Sequence, residues 1–309
     1  MYDRFDYLEL TDEKPALLPE PDETETPRAN GTGWAPPARL RAVEVIGDPG
    51  TKAGQFASPT SLAVDPWGAV YVTDSGNHRV QRITSNGNVM VIGRPGNQQG
   101  QIWGPQGVAV DPTGHFVYVA EQGNNRVQCF RYDNGQSQGV IGGLRMPGGV
   151  AFDSEGLLWI ADTGNGRVLR ADVKAGKFVS SLDRQPGMNK PSEIACGPAG
   201  SLFVTDSAAS DVVCFSKSGA RTHALSQIRR LAGPRQCAID SEGRIYLTES
   251  DANRLHVFDS TGSSLFIFQL EGGKLGALKG PSGVAIGPSG EVYLADTLNH
   301  RVLRLAWER

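Results

Sequence analysis

The sequence predicts an all-β protein, a six-bladed β-propeller in which each blade is a four-stranded sheet. Three observations predict this fold. A unit of similar sequence recurs six times along the 309 residues. Each copy has the pattern of short strands joined by tight turns. A piece of a further copy precedes the first complete one, and this piece supplies the strand that would close the ring.

The repeated unit begins with a proline and is clearest in PTSLAVDPWGAVYVTDSGNHRVQRI and PSGVAIGPSGEVYLADTLNHRVLRL, the first and last copies. Successive copies begin 46, 42, 44, 43 and 47 residues apart. A period of this size is typical of propeller blades. The copies start at Pro59, Pro105, Pro147, Pro191, Pro234 and Pro281.

Each unit also has the residue preferences of β-structure. A short apolar run such as LAVD leads into a glycine turn such as DPWG, and a β-branched or aromatic run such as AVYVTD follows. After a polar loop, RVQRI alternates apolar and polar side chains, as a strand nearer solvent does. NVMVIG supplies the fourth strand of the unit.

The sixth unit ends at LAWER without a fourth strand, whereas residues 43–59 align without a gap to residues 89–105, with nine of seventeen positions identical. Residues 43–47 are therefore predicted to pair with residues 301–305. This pairing would complete the last blade and leave no open sheet edge.

The first forty residues have a different composition, with nine acidic residues against four basic ones and a proline-rich middle. Such a segment cannot form a core. We expect residues 1–40 to be an arm and residues 41–309 to be the propeller. Tyr2, Phe5, Tyr7 and Leu8 are dense enough to suggest a docking segment, received by its own propeller, by another copy or by a partner protein.

Two further features bear on the compartment. The N-terminus has no signal-peptide pattern, and no apolar run is long enough to span a bilayer. Cys129, Cys196, Cys214 and Cys237 lack CxxC spacing and fall in strand-like runs, which favours buried thiols over disulfides. We therefore expect a cytoplasmic protein.

The proline, the VAVD and YVAD strands and the NxRV loop together resemble the NHL repeat, and all six copies fit that pattern. The resemblance implies the propeller fold. It leaves the function open, because NHL propellers occur in RNA-binding regulators, in sensor domains and in a lyase partner of a copper enzyme.

A carboxylate ends the second strand of each unit, and in five units an arginine opens the third. A pair repeated around a ring is more economically a structural device than a site. The pairs are Asp74 and Arg79, Glu121 and Arg126, Asp162 and Arg167, Glu249 and Arg254, and Asp296 and Arg301. The fourth unit departs from the rule, with Ser210 and Asp211 in this loop after Asp206. We interpret that departure as drift rather than as a partner contact.

In propeller enzymes that resemble this architecture, metal ligands converge at the mouth of the central channel. We expect the second residue after each repeat proline to line that mouth. In the six units these residues are Ser61, Gly107, Gly149, Glu193, Gln236 and Gly283. One carboxylate among glycines is a poor ligand set for calcium or catalytic zinc. We therefore predict no metal, cofactor or catalytic residue, although Glu193, Arg235 and Gln236 could hold a small ligand.

The loops that enter the first strands are rich in basic residues. We therefore predict a basic face here, whereas the turns on the opposite face carry acids such as Asp65 and Asp153. The basic face could bind single-stranded RNA, with Trp103 and Phe56 as stacking platforms. An acidic protein surface would suit the same charges. The residues assigned to this face are Lys52, Arg94, Trp103, Arg145, Arg184, Lys190, Arg229, Arg230, Lys274 and Lys279.

From these features we expect a non-enzymatic binding or scaffold protein, with the arm and the propeller binding partner proteins in a larger assembly. The alternatives are single-stranded RNA binding by the basic face and a lactonase-like or lyase-like enzyme with a site at the channel mouth.

Overall fold

The computed structural model describes residues 39–183, 185, 188–227, 230–270 and 272–308. These residues form six four-stranded sheets. The strands are β1 (Arg39–Ile46), β2 (Pro59–Val64), β3 (Val70–Asp74), β4 (Arg79–Ile83), β5 (Val89–Ile92), β6 (Pro105–Val110), β7 (Phe116–Glu121), β8 (Arg126–Arg131), β9 (Ser137–Ile141), β10 (Val150–Phe152), β11 (Leu158–Asp162), β12 (Arg167–Asp172), β13 (Lys177–Asp183), β14 (Pro191–Cys196), β15 (Leu202–Asp206), β16 (Asp211–Phe215), β17 (Arg221–Ala224), β18 (Pro234–Ile239), β19 (Ile245–Glu249), β20 (Arg254–Phe258), β21 (Ser264–Phe268), β22 (Val284–Ile286), β23 (Val292–Asp296) and β24 (Arg301–Glu308).

Short 3-10 helices occupy several of the loops, and five of them join the second and third strands of a blade. The described residues contain these at Ser75–Asn77, Gln122–Asn124, Thr163–Asn165, Pro198–Gly200, Leu225–Gln227, Ser250–Ala252, Gly273–Leu275 and Thr297–Asn299. None of the helices found in the described ranges is long and apolar enough to cross a membrane.

The sheets are arranged as a ring. In each of blades 1 to 5, four consecutive strands pair antiparallel in chain order, from β2–β5 in blade 1 to β18–β21 in blade 5. The first strands contact one another in the order β2, β6, β10, β14, β18 and β22, and β22 contacts β2 again. The first strand of each blade therefore lines the central channel, and the predicted six-bladed propeller is confirmed.

Blade 6 is closed by the two ends of the described chain. β1 pairs antiparallel with β24, with Ile46 opposite Val302 and Arg39 opposite Glu308, so the sheet order is β1-β24-β23-β22. The predicted closure is confirmed. The strand is longer than predicted, because it begins at Arg39 and continues through an irregularity between Ala42 and Glu44.

The apolar core lies between neighbouring blades. Six clusters of buried side chains fill the six interfaces, and each contains residues from two adjacent sheets. Between blades 1 and 2, for example, Tyr71 and Val80 pack with Val119 and Phe130, all four fully buried. Each blade is thus stabilised by its neighbours, and the ring holds the inner strands around the channel.

Candidate functional site

The repeated carboxylate and arginine form a clamp inside each blade. In blade 1, the buried Asp74 carboxylate accepts the Ala57 N–H at 2.7 Å and the Arg79 Nε–H at 2.7 Å. Arg79 also donates to the carbonyls of Thr51, Lys52 and Gln55. The clamp ties the incoming loop to the second and third strands. The five such ion pairs have Nε–O distances of 2.6 to 3.0 Å.

In four of the five clamped blades, the residue just before the clamp arginine joins one blade to the next. His78 Nδ1 accepts the Gly104 N–H at 3.2 Å, and His300 Nδ1 accepts the Ser58 N–H at 2.9 Å. Asn125 does the same with its side-chain oxygen. These residues adopt left-handed backbone conformations that aim the side chain at the neighbouring loop. The histidines therefore hold loops together and lie apart from the channel.

Blade 4 has its own version of the clamp. Asp206 is fully buried and accepts four backbone N–H groups, from Asn189, Lys190, Ala208 and Ala209, in place of an arginine. Asp211 stands where the other blades have arginine, and it accepts the N–H and the hydroxyl of Ser226. The loop whose departure from the repeat is interpreted as drift thus has both carboxylates, Asp206 and Asp211, hydrogen-bonded within the blade.

A cavity of about 420 Å³ opens at the channel mouth on the face that carries these loops. Most of its walls come from two sets of residues, and apart from Arg235 the sequence analysis missed them. One set follows each repeat proline and the other follows the second-strand carboxylate, positions that are almost all small polar or amide residues. The first set is Thr60, Gln106, Gly148, Ser192, Arg235 and Ser282. The second is Gln122, Thr163, Ser207, Ser250 and Thr297.

The hydroxyls of these walls also bind the next blade. Thr163 Oγ1 donates to the Pro191 carbonyl at 2.6 Å, and Thr297 Oγ1 donates to the Pro59 carbonyl at 2.8 Å. The polar lining is therefore fixed in place by the ring itself. A signal for it is present in the sequence, namely the polar residue directly after five of the six prolines. The inward direction of these residues depends on strand irregularities that shift the register in several blades.

Below the mouth the channel is narrow. A side-chain carbon on Gly107 would lie 2.6 Å from the Gly148 carbonyl oxygen, and one on Gly283 would lie 2.5 Å from the Thr60 carbonyl oxygen. These glycines let the inner strands approach closely. Gln236 fills the remaining space, because its Oε1 accepts the N–H groups of Leu62 and Val284 and its Nε2 donates to the Leu62 carbonyl. Gln236 thus forms the floor of the cavity.

Glu193 is the one carboxylate among the described residues that line the mouth. It is half-buried, and one of its carboxylate oxygens lies over Gly149, in the space that a larger residue there would occupy. Burial raises the pKa of Glu193 to about 8, although the charge of Arg235 opposes the rise. Near pH 7 the group is therefore mostly protonated, and it can take or give a proton close to that pH.

Arg235, the predicted neighbour of Glu193, lies beside it in the cavity wall. Its side chain is exposed, and its Nε donates to Ser250 Oγ at 3.3 Å. No carboxylate of the described chain lies within 4.0 Å of this guanidinium. The structure thus brings Glu193, Arg235 and Gln236 together in one cavity, with three different environments.

The mouth is a poor fit for the metal that resemblance to propeller enzymes would imply there. Within the ranges that the structure describes, no group of three or more His, Cys, Asp or Glu side chains could hold a metal ion. Glu193 is surrounded by hydroxyl, amide and guanidinium groups rather than by further ligands.

The predicted basic face is present in part. Lys52, Arg94, Arg145, Lys190, Arg230, Lys274 and Lys279 are all exposed. Trp103 is 47% exposed and stacks on His78 at 4.0 Å, whereas Phe56 is fully buried and cannot serve as a stacking platform. Arg184, Arg229 and the predicted docking residues Tyr2, Phe5, Tyr7 and Leu8 lie outside the described residues.

The opposite face is less acidic than its sequence suggests. Asp65, Asp153 and Asp240 are buried in their own turns, where they accept backbone N–H groups. Each also pairs with an arginine of the third strand or of its own turn: Arg82, Arg170 or Arg244. Their charges are therefore largely compensated within the protein.

Comparison with known proteins gives two family matches. Residues 38–209 match the family described as the SMP-30/gluconolactonase/LRE-like region, and residues 278–305 match the NHL repeat. The NHL resemblance predicted from sequence is thus confirmed. No curated protein matches the chain by sequence.

Solved structures resemble the whole propeller. A streptogramin B lyase is 15% identical, with a TM-score of 0.61 over 87% of this chain and 98% of that one. Virginiamycin B lyase from Staphylococcus aureus is 15% identical, with a TM-score of 0.60 over 87% and 99%. A gluconolactonase from Xanthomonas campestris is 16% identical, with a TM-score of 0.65 over 83% and 88%. At these identities the likeness concerns the fold.

The family match to residues 38–209 overturns one expectation from the sequence. A non-enzymatic binding or scaffold protein was expected because the mouth lacks metal ligands, and that expectation is wrong: the matched family is described by a lactonase. The physical reason for the error lies in Glu193. The sequence presents it as a lone carboxylate, whereas burial beside Arg235 gives it a pKa suited to proton transfer.

Proposed function

The chain belongs to the SMP-30/gluconolactonase/LRE-like family, and on that premise we propose that it is an enzyme that hydrolyses a small cyclic ester, a lactone, at the mouth of the propeller channel. The observation that carries the proposal is the position of Glu193. Its carboxyl group lies in the wall of a 420 Å³ cavity and has a pKa of about 8. A perturbed carboxyl group in a cleft is typical of a catalytic acid or base.

The cavity residues supply the parts of an acyl-transfer site. Ionised Glu193 takes a proton from a water molecule as the water oxygen attacks the ester carbon. The amide groups of Gln106 and Gln122 line the same cavity and have no side-chain partner recorded among the described residues, so they can donate to the carbonyl oxygen as it becomes negative.

The reaction then completes on the same carboxyl group. The tetrahedral intermediate breaks the ring carbon–oxygen bond, and protonated Glu193 returns its proton to the departing alkoxide. The product is the open hydroxy acid and Glu193 is ionised again. The Gln236 floor supports this scheme, because it closes the cavity on one side and confines the substrate to the mouth.

The test is hydrolysis of a panel of lactones by the purified full chain, once after treatment with EDTA and once with added Ca²⁺ or Zn²⁺. We expect turnover without added metal, and a rate that rises with pH and levels off near the pKa of Glu193, after subtraction of the reaction without enzyme. Glu193→Gln should lower kcat at least about a hundredfold. Glu242→Gln, an exposed carboxylate on the opposite face, is the matched control.

The products distinguish hydrolysis from a lyase reaction. In H₂¹⁸O a hydrolase transfers the label to the acid product, whereas an elimination leaves an unlabelled acid and an alkene. Turnover that depends wholly on added metal and persists in Glu193→Gln would contradict the proposed role of this residue. An unlabelled product would replace hydrolysis with elimination.

Other sequence predictions stay predictions. The acidic arm as a docking segment, a protein partner and the cytoplasm as the compartment are not tested by the fold. All four cysteines of the described chain are free thiols.

A further inference from the structure

The basic residues of the described chain differ in whether they pair with a carboxylate. Those of the repeated clamps and turns pair with carboxylates, for example Arg79 with Asp74 and Arg170 with Asp153. The exposed bases of the loops that enter the first strands do not, and neither does Arg235 in β18; within the described ranges none of them has a carboxylate within 4.0 Å. These exposed bases are Lys52, Arg94, Arg145, Lys190, Arg230, Arg235, Lys274 and Lys279.

Arg235 is the member of this group that lies in the cavity wall. Its Nε is held by Ser250, while its two Nη atoms have no partner recorded among the described residues. A guanidinium held at one atom and open at the other two is prepared for a bidentate contact with a carboxylate or phosphate.

Three further bases lie on loops that form the rim of the cavity. The Lys190 carbonyl accepts the N–H of Ser207, and the Lys279 carbonyl accepts the N–H of Leu298, and both of these donors line the cavity. The Arg145 carbonyl accepts the N–H of Gly164, directly after Thr163 in the wall. These three basic residues therefore lie on loops next to the entrance.

The negative charges near the mouth offset this only weakly. Glu193 is half-buried and carries its proton for most of the time near pH 7. Asp206 is buried and already binds four N–H groups. Asp251 is the exposed carboxylate on the neighbouring loop, next to Ser250.

We propose that the mouth selects a small anionic ligand, a molecule that carries a carboxylate or phosphate group which Arg235 binds. This proposal rests on the proposed function, since it names the charge class of that site's substrate. The rim bases, which have no carboxylate partner in the described chain, attract the anion electrostatically at longer range. The size of the cavity suits a small molecule. A single-stranded nucleic acid is disfavoured because Phe56 is buried and Trp103 already stacks on His78.

Binding of matched probes to the full chain tests the proposal directly. Gluconate and glucose 6-phosphate are the anionic probes, glucitol and glucose are their neutral counterparts, and calorimetry or the shift in Tm measures affinity. We expect at least one anion to bind about tenfold or more tightly than its neutral counterpart. Arg235→Ala should remove that preference, while Arg221→Ala, an exposed arginine on β17, should keep it.

The outcomes separate the ligand class from the reaction. If gluconate binds through Arg235 but no lactone is hydrolysed, the reaction is wrong and the ligand class stands. If neutral and charged lactones are hydrolysed equally well, the anion proposal is wrong and the reaction stands. If Arg235→Ala leaves the binding preference intact, the anion proposal is wrong whether or not lactones are hydrolysed. Tight binding of a short oligouridylate that survives Arg235→Ala would replace a small ligand with nucleic acid.

Discussion

A carboxylate oxygen of Glu193 lies over Gly149, in the space where any other residue would place its Cβ. The two residues occupy equivalent positions in neighbouring blades, each the second after a repeat proline. The glycine in blade 3 is therefore what allows the acid of blade 4 to lie along the channel wall. This relationship makes Gly149 a positioning residue for Glu193.

Gly149→Ala should displace the Glu193 side chain and lower kcat for lactone hydrolysis, with a change in the pH dependence of the rate. It should also destabilise the protein by about 1 to 3 kcal/mol, because the added methyl meets backbone atoms of Glu193 and Ile194. Gly283→Ala is the matched control, since its methyl meets the Thr60 carbonyl and Leu62 but not Glu193. Equal pH profiles for the two variants would contradict the positioning role.

Glu193 should make the protein less stable as pH rises. Its pKa moves from 4.5 to about 8 on folding, so between these pH values the unfolded chain releases a proton that the folded chain keeps, and stability falls. Glu193→Gln removes this dependence. Between about pH 5 and about pH 9, the free energy of unfolding of the variant should rise by on the order of 2 kcal/mol relative to that of the parent, after screening by channel water.

Urea unfolding at the two pH values measures this difference, and Glu242→Gln, which changes a carboxylate on the opposite face and outside the cavity, is the control. A parent protein whose stability relative to Glu193→Gln is the same at both pH values would show that burial does not shift this carboxyl group.

The fold could be predicted from sequence because the repeat determines it at every level. Proline, turn glycine and β-branched runs recur together, and the alignment of residues 43–59 with residues 89–105 reveals the closing strand. Arg39 to Ala42 could not be predicted in the same way. They extend β1 only because β24 continues to Glu308 and offers a partner strand. In blade 1 the equivalent fourth strand, β5, is shorter and pairs with β4, which ends at Ile83.

The site could be predicted only in part. Glu193 and Gln236 are singled out by the position that they share in the repeat, and Arg235 directly precedes Gln236; all three do lie in one cavity. Their chemistry depends on what surrounds them. The sequence does not reveal that Glu193 lies over Gly149, that Gln236 is used up by main-chain bonds to Leu62 and Val284, or that Phe56 is buried.

The clamps that build the ring should matter far more to stability than ordinary surface ion pairs. Arg79→Ala leaves the fully buried Asp74 carboxylate without its cation and should cost about 3 kcal/mol in the free energy of unfolding. Arg131→Ala breaks an ion pair of similar length whose partners are 45% and 38% exposed, and it should cost less than about 1 kcal/mol. Equal costs would argue against a structural role for the repeated pair.

Gln236 should hold the floor of the cavity and the joint between blades 5, 6 and 1 at the same time. Gln236→Ala removes three hydrogen bonds and leaves the Leu62 and Val284 N–H groups without that acceptor, so we expect a loss of about 2 kcal/mol in stability. Gln122→Ala is the control for stability alone, because no side-chain hydrogen bond is recorded for Gln122 among the described residues. Substrate binding gives the second readout. Loss of the floor lets water and ligand enter the channel more deeply, so KM should rise more in Gln236→Ala than the stability loss alone explains. An unchanged KM, measured at a temperature where the parent protein and Gln236→Ala are both folded, would confine Gln236 to ring assembly.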